Sequence, residues 1–125
     1  MIIEENYDDG KSQFTMKRDG RLVEVVFTGA STIAGNRAFT GWVDSQIAAA
    51  QPLRLVVMLD IRALDSVGLR VKIALARWIV AVRGSLSRVA VVGEDPTARA
   101  LAGAIKGIQF FDEPAVARTW LVGDQ

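Results

Sequence analysis

Two residue types are missing from this chain altogether: it has no cysteine and no histidine. The first absence excludes disulfides, thiolate metal sites and thiol nucleophiles. The second removes the commonest general base, the usual partner of a catalytic serine and the commonest metal ligand. Net charge is almost absent too. Fifteen basic residues stand against 14 acidic ones for a net +1, and the basic residues are spread along the sequence, which argues against the concentrated footprint of a nucleic-acid-binding protein. No hydrophobic run is long enough to span a bilayer, because the longest, Val67 to Val82, is broken by Arg70, Lys72 and Arg77. The opening residues, Met1 to Glu5, lack the basic region and apolar core of a signal peptide. These absences lead to a soluble, cytoplasmic protein with no cofactor and no metal. Catalysis would be left to Asp, Glu, Lys and Ser, so a binding module is expected rather than an enzyme.

What is present is a globular composition, with half the residues hydrophobic in a chain of 125. That is one domain, residues 1–125, large enough to bury an ordinary core. Its organising stretch is Leu53 to Gly93. Leu55-Val56-Val57-Met58-Leu59, ending at Asp60, and Arg88-Val89-Ala90-Val91-Val92, ending at Gly93, are short runs apolar at nearly every position. Such runs suit strands covered on both faces, and the helical segment between them makes a right-handed crossover unit.

Around this unit the chain reads in order. Residues 1–12 form a loosely held arm or short edge strand. Phe14 and Met16 share one face of a strand, Asp19-Gly20 turns the chain, and Leu22 to Phe27 returns it. Ser31 or Thr32 caps a helix whose apolar positions are Phe39, Val43, Ile47 and Ala50, and Pro52 closes it. After Gly93, Asp95-Pro96 starts a helix with the stripe Leu101, Ala102 and Ile105. Ile108 to Phe111 is a strand, and Asp112 with Pro114 starts a last helix carrying Val116, Trp120 and Leu121 on its apolar side. The predicted order is β-β-α-β-α-β-α-β-α, an α/β fold with an N-terminal hairpin and crossover helices on one mixed sheet.

At about 100° per residue, Val67 to Arg83 separates into two apolar ridges. Leu69, Ile73, Ala76 and Val80 form one. Val71, Leu75, Trp78 and Val82 form the other, with Arg70 and Arg77 on one border and Lys72 and Arg83 on the other. One ridge covers the sheet, and the second is expected to need its own partner: a neighbouring helix, a second subunit or an apolar ligand. The four cations are candidates for holding an anionic headgroup or carboxylate, or simply stay solvated. At the entrance to this helix, Asp65-Ser66-Val67-Gly68 offers either an N-cap or a phosphorylatable hydroxyl that free helix amides would favour. Asp60 and Asp65 are expected to flank one strand-to-helix loop, where open α/β sheets place ligands.

The hairpin, Leu59-Asp60-Ile61-Arg62, Arg88 to Gly93, and the ending Phe110-Phe111-Asp112 through Ala117-Arg118-Thr119-Trp120-Leu121 together resemble the SpoIIAA-like family of STAS domains. The resemblance implies a small α/β sandwich, similar in fold to anti-sigma-factor antagonists and to lipid-carrying CRAL-TRIO domains. Two functions follow from it. The CRAL-TRIO likeness implies an apolar or amphipathic ligand, such as a lipid, or transient membrane-surface contact, and the two-faced helix makes a homodimer holding that molecule against Val71, Leu75, Trp78 and Val82 the expected form. The antagonist likeness implies a switch with a regulatory protein partner, phosphorylated at Ser66. Asp65-Ser66-Val67-Gly68 is similar to the Asp-Ser-Ser-Gly-like motif of those proteins, with Val67 in place of a hydroxyl residue. The ligand-binding module is the leading expectation and the switch the alternative.

Overall fold

The computed structural model describes residues 2–96, 99–100, 103 and 106–123. Six strands form one mixed sheet in the order β1-β2-β3-β4-β5-β6, the order in which they occur along the chain. They are β1 (Ile2–Asp8), β2 (Ser12–Asp19), β3 (Leu22–Ala30), β4 (Leu55–Ser66), β5 (Leu86–Val92) and β6 (Ile108–Phe111). The first three are antiparallel, and β3 through β6 run parallel. Helices α1 (Ile33–Ala50) and α2 (Leu69–Val82) follow β3 and β4, and α3 (Pro114–Val122) follows β6. Between β5 and β6 the amides of Arg99 and Gly103 bond carbonyls four residues back, at 2.8 and 3.0 Å, as in a helix. The expected stripe of Leu101, Ala102 and Ile105 lies outside the described residues.

The doubly apolar run in β4 decides the layering. Leu55, Val57 and Leu59 join Phe14, Val23, Val25, Val89 and Val91 in the core beneath α1 and α2. Val56 and Met58 point the other way, to Ala90, Val92, Ala117 and Leu121, where α3 covers them. Every residue from Leu55 to Asp60 is buried. Among the described helices this places the final one alone on the second face, and on it Ala117 and Leu121 are buried while Val116 is exposed. Val116 was expected on the apolar side. The α3 N-cap is Glu113 rather than Asp112, with Pro114 in the first turn.

Strand β4 does not end at Asp60. Asp60 is paired with Val26 on one side and Val92 on the other, and β3 alone accompanies β4 to the Ala30–Ser66 pair. Gly29 permits this extension of β3. Its φ is +75°, a Cβ there would lie 2.5 Å from the Lys11 carbonyl oxygen, and the Ala30 amide bonds that same oxygen at 3.0 Å.

A carboxylate ties the N-terminal hairpin to α1. Thr32 is the N-cap, its Oγ1 accepting the Gly35 amide at 2.9 Å while donating to Asp9 Oδ2 at 2.8 Å. Asp9 also accepts the amides of Ser12 at 2.7 Å and Lys11 at 3.0 Å and the Tyr7 hydroxyl at 3.0 Å. The two backbone amides, followed by Thr32, hold its carboxyl well below the usual carboxylate range. A depressed carboxylate contributes stability that is present above its unfolded value and fades as pH falls towards its folded one. Asp9→Asn is therefore expected to lower the melting temperature at pH 7, with the deficit shrinking as pH drops below about 4. Thermal melts of both proteins across that range test this, and a deficit independent of pH would refute it.

Candidate functional site

The start of α2 is where the sequence concentrates its candidates. Because pairing with β3 keeps the backbone extended through Ser66, the helix begins later than the cap chemistry suggested. Gly68 is the N-cap, with no side chain bonding the first amides, and its carbonyl accepts the Lys72 amide at 3.1 Å. Neither Asp65 nor Ser66 caps the helix. The first turn holds no carboxylate, and Gly68, Leu69 and Arg70 are exposed. The result is a helix N-terminus whose amides no side chain caps among the described residues, with a nearby cation, two residues after Ser66.

Under α2 lies an apolar cavity of about 100 Å³. Phe14, Phe27, Phe39 and Leu59 line it from the sheet and α1, and Val71 and Leu75 from α2. At its rim Lys72 Nζ lies 2.9 Å from Asp95 Oδ1, with side chains only 13% and 17% exposed. Ser31 Oγ also borders it, buried and without a hydrogen-bond partner among the described residues. A space of this size is far below the roughly 300–1,000 Å³ typical of small-molecule pockets. A lipid would require α2 to move.

Of the three partners expected for the Trp78 ridge, the one it meets is the neighbouring helix, α1, together with the core. Leu75, Trp78 and Val82 pack against the main core cluster. Trp78 meets the Phe39 ring edge-on at 5.4 Å between centroids and donates its Nε1 hydrogen to Asp44 at 2.8 Å. The opposite ridge is the outward one, with Leu69 57%, Ile73 37% and Val80 45% exposed. The wheel separated the two groups, but the larger side chains of the Trp78 ridge reach α1 and the sheet, and Ile79 completes that contact at 5% exposure.

The four bordering cations do not converge. Arg70 sits at the start of α2, Arg77 in the middle and Arg83 at its end, all exposed, while Lys72 is engaged by Asp95. Asp60 and Asp65 also part. Asp65 is exposed near the end of β4, whereas Asp60 is buried at mid-strand in a two-pronged contact with Arg62, Nε to Oδ1 at 3.0 Å and Nη2 to Oδ2 at 2.9 Å. Burial opposes the Asp60 charge, but the side-chain and backbone bonds from Arg62 prevail and hold its carboxyl below the usual range. A carboxylate so engaged is a poor base. Sequence reasoning missed Asp95 as the partner of Lys72 and Asp9 as the link to Thr32. Both pairings cross between elements with no local pattern to mark them.

No family model matches the sequence, and no curated protein does. Solved structures do match its fold. An uncharacterised protein of the DUF3478 family from Shewanella loihica, described as having a SpoIIAA-like fold, superposes with a TM-score of 0.67 at 19% identity, covering 89% of this chain and 94% of its own. An anti-sigma factor antagonist from Mycobacterium paratuberculosis gives 0.64 at 16% identity over 91% and 97%. The anti-sigma factor antagonist SpoIIAA in its unphosphorylated form gives 0.57 at 15% over 86% and 96%. The chain thus has a mixed α/β architecture with the SpoIIAA-like fold. No helix among the described residues is long and apolar enough to cross a membrane.

The two ridges make a direct forecast. Trp78→Ala is expected to cost about 3 kcal/mol, whereas Ile73→Ser and Val80→Ser stay within about 0.5 kcal/mol. Urea unfolding of the three variants measures this. A loss at Val80 as large as that at Trp78, or larger, would overturn this orientation of the helix.

Proposed function

We propose that this chain is a regulatory module that binds a protein partner through the start of α2, in the manner of an anti-sigma-factor antagonist, and is switched by phosphorylation of Ser66. The observation that carries this reading is the uncapped, exposed N-terminus of α2, two residues beyond Ser66. The fold likeness to two anti-sigma factor antagonists supports it. A phosphoserine would bring about 1.5–2 negative charges and strong acceptor oxygens. The α2 amides and Arg70 favour that charge, and neighbouring Asp65 opposes it, so modification would rearrange this corner. The exposed Leu69 and Ile73 beside it supply apolar area for a protein partner. A second reading, a small apolar ligand lodged under Val71 and Leu75, rests on the cavity alone. A homodimer would use the outer ridge of Leu69, Ile73 and Val80 rather than the packed one.

Ser66→Asp and Ser66→Ala baits test the switch. A protein retained by the alanine variant and released by the aspartate variant is expected when quantitative mass spectrometry compares their captures from the source cells. Identical captures, together with an intact mass showing no phosphate on protein purified from those cells, would remove Ser66 from the mechanism.

A further inference from the structure

At the other end of the sheet from Ser66, the segments leading into the parallel strands enclose a cleft of about 540 Å³. Four cations line it: Arg54 ahead of β4, Arg83 at the end of α2, Arg88 in β5 and Lys106 ahead of β6. A fifth, Arg21 in the β2–β3 turn, reaches in with its Nη2 donating to Ser87 Oγ at 3.2 Å. No carboxylate is found among the described residues of the lining. In a chain of net charge +1, so many cations at one mouth make a strong local potential. One of them is held in place at the mouth. Arg54 Nη2 bonds the carbonyls of Leu86 at 2.7 Å and Arg83 at 3.3 Å, offsetting the negative end of α2. Arg88 lines the mouth from β5, but its guanidinium is carried to the α3 face of the sheet, where Nη1 bonds the Trp120 carbonyl and the group lies 4.8 Å from the centroid of the Trp120 ring. Arg83 and Lys106 are exposed and able to close over a ligand. The floor is apolar, from Ile79, Leu86, Val89 and Ile108.

We infer that this cleft is a second binding site, for a phosphate-bearing small ligand whose apolar or planar part rests on Ile79 and Ile108. The volume lies within the roughly 300–1,000 Å³ of small-molecule sites, unlike that of the cavity under α2. A guanidinium fixed in advance, as that of Arg54 is, suits phosphate because little ordering is left to be done on binding. A soluble phosphate ester and an anionic lipid headgroup share this chemistry, and the experiment separates them.

Amide chemical shifts of the full chain are followed on titration with inorganic pyrophosphate, and sedimentation is measured with vesicles of phosphatidylcholine with and without phosphatidic acid. The comparison protein carries Arg83→Gln and Lys106→Gln, two exposed positions whose replacement leaves the core untouched. Pyrophosphate shifts centred on Arg54, Gly84, Ser87 and Gly107, with affinity at least about tenfold weaker in the variant, support a soluble ligand. Binding to acidic vesicles alone, lost in the same variant, supports a headgroup. No binding to either probe, or binding that the variant leaves unchanged, overturns the site. None of these outcomes depends on Ser66.

Discussion

Burial of β4 on both faces is the constraint on which the rest of the structure depends. A run apolar at five successive positions cannot present one side to water, so the sheet needs cover above and below. Leu55, Val57 and Leu59 draw α1 and α2 to one face, and Val56 and Met58 require α3 on the other. Asp60 then enters the same buried strand and is tolerated because Arg62 forks onto its carboxylate. The continuation of β4 to Ser66 fixes where α2 starts, and so sets the geometry of the candidate switch.

The framework was legible because it rests on local rules. Alternation at Phe14 and Met16, the Asp19-Gly20 turn, the cap at Thr32 and the stripe Phe39, Val43 and Ile47 are each written within a few residues. Legibility failed where a partner element decides the outcome. Asp60 looked like a strand end, yet pairing with Val26 and Val92 carries the strand past it. The two ridges of α2 have similar hydrophobicity, and only their fit against Phe39 and the sheet chooses between them. The scattered cations are the clearest case. Arg21, Arg54, Arg88 and Lys106 each stand just before, or at the start of, a strand, so the repeat of the α/β unit gathers at one end charges that look dispersed along the chain.

Two regions at opposite ends of the sheet therefore carry the functional possibilities, and they differ in kind. The start of α2 offers amide donors, one arginine and exposed apolar side chains, a surface suited to a macromolecular partner and a covalent charge. The far cleft offers one fixed guanidinium and two exposed cations over an apolar floor, a concavity suited to a small molecule. Helix α2 joins them, with Leu69 at one end and Arg83 at the other, and its inner face bears on Phe39 through Trp78. A fold of this kind supplies the scaffold, and these termini supply the chemistry.

The strand order has a consequence for how the protein is made. Because the strands lie side by side in the sequence in which they are synthesised, each new strand finds its neighbour already in place, and no earlier pair has to open to admit it. The sheet can grow as the chain leaves the ribosome, with short loop closures that favour rapid folding. One face stays incomplete throughout that growth. Val56, Met58, Ala90 and Val92 wait for Ala117 and Leu121, which are translated after all six strands, and until α3 arrives the nascent domain carries an uncovered apolar surface.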